Sequence, residues 1–380
     1  MKKFFVSIFL CLALSVTMPF SALAAESKTL TVLYSGNVLG YIVPTRHCYS
    51  SEQLGGLSRV STLAEQIRKE SGEVLLLDSG GMFPIYAVGP ALIAEFSMKA
   101  MNQMGYNAMN LGWNELRYAS PLLDDMGKNI AFPFITSNAV YKDSNLPVGK
   151  KYFVKQIGNI KVGILGVMPI EPLEALPNPQ FMERFTVTPP EDALKTLVPE
   201  VRKEADLILL LSHCGFKATS DLVAQVKGID LAITGADSER EVNETEPGCQ
   251  PDPESAFVQT KQADPESAFA QTKPEDKTVP VMQIGYGLKS LGLIKLTLDG
   301  KGQIARHDSK LIKLDMSIPS DPQIAEITGT DLYQKVADVR KERDEEDQRK
   351  KQEAQEMLKI SPEEYLKKMK EKQAGTGGGK

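Results

Sequence analysis

The sequence predicts a layered α/β domain, and three observations carry that expectation. Ala205 to Gly215 reads ADLILLLSHCG, in which five apolar residues run unbroken from Leu207 to Leu211. A run without alternation is the habit of a strand buried on both faces, as in a parallel sheet covered by helices. Similar runs recur at Glu73–Asp78 (EVLLLD), Lys161–Val167 (KVGILGV) and Ile229–Gly235 (IDLAITG), separated by stretches with helical spacing. Most of these runs end in glycine, serine or asparagine, so each delivers a tight loop to the C-terminal edge of a sheet, where open α/β proteins hold their ligands.

Taken in order, the chain begins with Lys2 and Lys3 before an apolar run from Phe4 to about Phe20, followed by Ala22-Leu23-Ala24. That is the pattern of a cleaved Sec-type signal peptide over residues 1–24, and it predicts export, into a periplasm, with no transmembrane anchor after cleavage. Setting Lys2 and Lys3 aside from 44 basic residues leaves 42 against 49 acidic ones, a net charge of −7. Such a balance excludes a basic nucleic-acid-binding surface. Cys48, Cys214 and Cys249 remain, with no CxxC pair, which excludes a thioredoxin-type motif.

Thr29 to Tyr34 is the first short strand, ending in Ser35-Gly36-Asn37-Val38-Leu39-Gly40. From Leu57 the positions Val60, Leu63, Ala64 and Ile67 mark a helix with Arg68 and Lys69 in its last turn. A second helix runs through Ala94 to Met104, and Tyr106–Leu111, Phe134–Asn138 and two strands within Val281–Leu298 complete the pattern. Between Ala236 and Thr278 it stops: DPESAFVQTK at Asp252 recurs as DPESAFAQTK at Asp264, too polar to build a core, so 239–278 reads as a disordered surface insert. Residues 316–380 form a charged helical tail. Asp321-Pro322 can cap a helix carrying Ile324, Ile327, Leu332, Val336 and Val339, and hardly an apolar residue stands between Arg340 and Glu356. The tail is either a solvated arm or a segment that docks a protein partner.

Seven blocks, in order, carry a resemblance. They are LYSGNVLG at Leu33, GGLSR at Gly55, LLDSGGMF at Leu76, GYNAMNLGWNEL at Gly105, LSHCG at Leu211, IDLAITGADS at Ile229 and VPVMQIGYGLKSLG at Val279. Together they resemble the motifs of the secreted, UshA-like 5′-nucleotidases, a branch of the calcineurin-like metallophosphoesterases. The resemblance implies a four-layer α/β/β/α sandwich over residues 25–315. It also implies a reaction run by two divalent ions roughly 3.5–4 Å apart, which polarise phosphate and generate the attacking hydroxide.

Carried over residue by residue, most of the ligands implied by the resemblance are replaced. Asn37 stands for an aspartate and Leu39 for a histidine. Gly81 stands for the bridging aspartate, Trp113 for an asparagine, and Ala236 and Ser238 for the last ligand pair. Only His213 is retained. The catalytic His-Asp pair falls on Asn114 and Arg117, and no counterpart of the family's nucleoside-binding C-terminal domain is expected in the residues that follow Leu314. The chain reads first as a non-catalytic binding or assembly module, with no cofactor beyond at most one metal ion. The alternative is a phosphoric-ester hydrolase with a remodelled site built from His213, Asn37, Asp78 or Glu115. A second alternative is a thiol or metal site formed by His47, Cys48, His213 and Cys214, since two cysteines and two histidines are ligands suited to zinc. Simpler roles are expected for several residues: Asn37 in a turn, Asp78 bonding the loop after its strand, Glu115 shaping the fold, and Trp113 plugging the space left by the ions.

Overall fold

A computed structural model describes residues 28–46, 52–84, 90–117, 127–170, 183–235, 279–300 and 302–357. The signal segment, His47, Cys48, Ala236, Ser238, the 239–278 repeat and the last part of the tail lie outside the described residues.

Two sheets form the centre. The first has β1 (Lys28–Ser35), β2 (Val74–Asp78), β3 (Ala108–Asn110) and β4 (Phe134–Ile135) in parallel. The second has β5 (Tyr152–Ile157) antiparallel at one edge of β6 (Ile160–Val167), then β7 (Leu207–Ser212), β8 (Leu231–Thr234) and β9 (Val281–Gln283). β10 (Ser290–Leu298) returns to the first sheet antiparallel to β1, and β11 (Ile304–Lys313) forms its outer edge.

The run LILLL shows why the sheets stack. Successive strand side chains point to opposite faces, so Leu207, Leu209 and Leu211 enter the core between the sheets, against Val32, Tyr34, Leu75 and Leu77. Ile208 and Leu210 face the other way, onto α4 (Pro190–Val201) and α5 (Phe216–Gln225). The outer side of the first sheet is covered by α1 (Leu57–Ser71) and α2 (Pro90–Met104), whose Val60, Ala64, Ile67 and Met101 meet Leu33, Val74 and Leu76. Each leucine sealed in this way contributes about 1.5–3 kcal/mol over its exposed state. The result is the expected order of layers, α/β/β/α, with antiparallel strands at the sheet edges.

The tail begins inside the domain. Asp321 caps α6 (Pro322–Ala325), accepting from the backbone N–H groups of Gln323 and Ile324 at 2.9 and 3.3 Å. Its other carboxylate oxygen accepts from Ser61 Oγ of α1 at 2.6 Å. A π-turn (Glu326–Asp331) leads into α7 (Leu332–Met357). Ile324, Thr328 and Leu332 are buried, and Ile324 and Leu332 join the helix-side core of the first sheet. The buried Arg59 guanidinium fastens the approach, donating to the carbonyls of Gln53, Gly55 and Leu314.

Candidate functional site

Five strand exits meet at one edge, those of β1, β2, β3, β7 and β8. The loops after β1 and β2 are zipped together: Asn37 N–H donates to the Gly80 carbonyl, Leu39 N–H to that of Gly81, and Gly40 N–H to that of Met82, at 2.7–2.9 Å. Asn37 and Leu39 both hold left-handed backbone, with φ of 53° and 54°. That suits an asparagine in a turn and strains a leucine by about 1–2 kcal/mol. Gly235, after β8, abuts Ser79 and Asn37.

His213, after β7, crosses this junction. Its backbone N–H donates to the Val167 carbonyl at 2.9 Å, and its ring lies in a cradle of glycines. A Cβ on Gly81 would stand 2.7 Å from His213 Cε1, and one on Gly112 would stand 2.5 Å from Cδ2. No Cβ fits at either distance, so the imidazole occupies the space that a side chain at position 81 needs. Burial pulls the ring's pKa down to about 4, which leaves it neutral near pH 7. Its Nδ1 has no hydrogen-bond partner in the protein.

Among the described residues, two carboxylates at this edge are committed to the loops. Glu115, on the short helix α3 (Trp113–Arg117), is fully buried. It accepts from the backbone N–H groups of Gly81 (3.2 Å), Phe83 (3.0 Å) and Gly112 (2.8 Å). Burial raises its pKa, and the donated N–H groups work against that rise. Asp78, at the end of β2, accepts from Gly80 N–H at 2.9 Å and from Ser35 Oγ at 2.6 Å. Ser35 Oγ in turn lies 2.9 Å from the Tyr106 hydroxyl. Tyr106 can therefore donate to Ser35 and Ser35 to Asp78, a buried chain that suits an ionised carboxylate. Burial nevertheless raises the Asp78 pKa to about 7, with Glu115 adding to the rise.

The structure thus brings together Asn37, Leu39, Gly81 and His213, with Asn114 buried on α3 and Arg117 one turn further along. Trp113 is placed differently from the expectation. It lies in the helix-side core of the first sheet, with Met82, Phe83 and Leu116, and the ring filling the junction is that of His213. Cys214 points away from His213 into the α4/α5 core. Burial pushes its thiol up to about 11, so it is neither thiolate nor nucleophile at neutral pH. Sequence reasoning did not find the Ser35–Asp78–Tyr106 chain, whose members are 43 and 71 residues from Ser35.

The donors among the described residues do not fit a two-ion centre. Among the described residues no group of three or more His, Cys, Asp or Glu side chains is placed to hold a metal ion. The carboxylates that could serve are turned onto backbone N–H groups, and the imidazole is packed against glycine.

The buried carboxylates leave a mark on stability. The Asp78 pKa is raised above its unfolded value, so its stabilising contribution is complete below about pH 4 and lost as pH rises through about 7. Three pKa units correspond to about 4 kcal/mol. Glu115 has the same sign. His213 opposes both, because the unfolded chain binds its proton below about 6.5 and the folded one only near 4. Urea unfolding between pH 4 and 8 should therefore show Asp78→Asn gaining on wild type as pH rises. A parallel pair of curves refutes the assignment.

No family model matches the chain. It is 30% identical over 336 residues to the 5′-nucleotidase of Mus musculus, an alignment covering 83% of this chain and 54% of that protein. The chain spans about half the length of the curated relatives it matches. Among solved structures, the 5′-nucleotidase precursor of Thermus thermophilus superposes with a TM-score of 0.65 at 21% identity, over 82% of this chain and 59% of that one. A calcineurin-like phosphoesterase of Bacillus subtilis superposes with a TM-score of 0.59 at 22% identity, over 82% of this chain and 99% of that one. These structural likenesses agree on the fold. In sequence the chain is related to the 5′-nucleotidases, and in fold to those proteins and to the calcineurin-like phosphoesterase.

Proposed function

We propose that this is an exported, non-catalytic member of the family, which keeps the sandwich as a binding or assembly module. The observation that carries the reading is the packing of His213 against Gly81 and Gly112 where a bridging carboxylate is absent. Two further facts support it. Asp78 and Glu115 spend their oxygens on backbone N–H groups and Ser35. Asn114 and Arg117 replace the expected His-Asp pair, so no imidazole stabilises a transferring phosphoryl group. Export rests on the N-terminal lysines and apolar run. Among the described residues no helix is long and apolar enough to cross a membrane.

The test is turnover by the purified full-length chain. Hydrolysis of nucleoside monophosphates should stay at background with Mg²⁺, Mn²⁺, Co²⁺ or Zn²⁺ supplied, and the protein should carry no stoichiometric metal. Metal-dependent turnover that His213→Ala abolishes would overturn the proposal in favour of a remodelled hydrolase.

A further inference from the structure

Helix α7 is rooted in the domain and then leaves it. Its root is the segment already described, with Ile324, Thr328 and Leu332 buried and Ile327 and Val336 partly buried against α1 and α2. Gln103 Nε2 of α2 adds a hydrogen bond to Gln323 Oε1 at 2.7 Å. Val339 is already 41% exposed, and every described side chain from Ala337 to Gln352 is exposed. A helix that is polar all round has no apolar face by which a domain can hold it, so it persists only through side-chain pairs along its own surface.

The helix carries charges spaced for such pairs, and one ion pair among its described side chains. Lys341, Glu345 and Arg349 succeed one another at intervals of four, with alternating sign. Glu346 and Lys350 form an ion pair at 2.7 Å, with glutamate on the N-terminal side, the better orientation. Lys350, and secondarily Arg349, hold the Glu346 carboxyl below the usual carboxylate range. Both signs are interspersed along the surface, so the helix presents no single-sign field for an acidic or basic partner.

We infer that Leu332–Met357 is a self-supporting rigid spacer, anchored by Ile324, Thr328 and Leu332, that keeps its own far end at a fixed stand-off from the domain. At 1.5 Å per residue, the stretch from Ala337 to Met357 is about 30 Å long. This device is independent of the cleft and does not depend on whether the protein turns over phosphate.

The experiment is pulsed electron paramagnetic resonance on the full chain, with native cysteines replaced by alanine. Spin labels are placed at Tyr333→Cys with Gln352→Cys, and at Gln66→Cys with Gln352→Cys. A rigid helix gives a narrow distribution near 28 Å for the first pair and a single narrow distribution for the second. A flexible chain of that length has a similar mean, about 22–26 Å, but a broad spread, so the width decides. Glu345→Lys with Glu346→Lys should broaden both distributions, and adding Arg349→Glu with Lys350→Glu should narrow them again. Broad distributions in the wild-type helix overturn the inference. So does a width that the charge reversal leaves unchanged, since the helix would then be held by something other than its own charges.

Discussion

Replacing Glu115 by alanine is expected to cost on the order of 4 kcal/mol, a large share of the 5–15 kcal/mol that holds a domain folded. The carboxylate ties two loops together through three hydrogen bonds. Its oxygens accept from Gly81 and Phe83, both after β2, and from Gly112, after β3. Glu115 is fully buried, so water cannot take over the freed donors. Each buried N–H left without a partner costs about 1–3 kcal/mol. Relief of the buried carboxylate's own desolvation returns part of the sum. Glu115→Gln should fall between the two, because one amide oxygen still accepts while the amide nitrogen faces a donor. Urea denaturation of the three proteins near neutral pH measures the differences. An alanine variant within about 1 kcal/mol of wild type would show that the loops do not depend on this clasp.

The same residues show how far the sequence could be read. The strands with unbroken apolar runs were legible because burial on both faces leaves no polar alternation to misread. β5 and β11 were not. They are sheet edges that carry Lys155 at a half-buried position and Arg306, Asp308 and Lys310 at exposed ones, charges that keep an edge from pairing further and also hide its hydrophobic pattern. Asp321 was visible as a cap because capping is local, within three residues. Its bond to Ser61 joins residues 260 apart and left no local signal. Likewise the motif blocks located every loop of the candidate site. That His213 would turn inward and fill the space at Gly81 depends on a contact between residues in different sheets, and no spacing rule encodes it. Trp113 drew attention by its bulk, yet a large apolar ring goes to the nearest core, here the helix-side one.

Placing a carboxylate at position 81 should therefore damage the protein and not by itself create a metal site. Gly81→Asp is expected to cost about 3 kcal/mol or more, through two effects that act together. Position 81 holds φ = 74°, where a residue with a Cβ is strained by about 1–2 kcal/mol, although aspartate tolerates it better than most. The new Cβ would also stand 2.7 Å from His213 Cε1 and 3.2 Å from the Asn37 Cα. The Asn37 backbone is pinned by its bonds to Gly80 and Gly287. The imidazole cannot swing aside either, because Gly112 closes its other face. Removing the ring separates the two effects: Gly81→Asp with His213→Ala should relieve the clash with the imidazole and keep the backbone strain. Thermal unfolding ranks the single and double variants, and calorimetric titration with Mn²⁺ reports any ion. If Gly81→Asp alone folds as stably as wild type and binds Mn²⁺ tightly, the cradle around His213 is looser than its distances imply, and a two-ion site lies one substitution away.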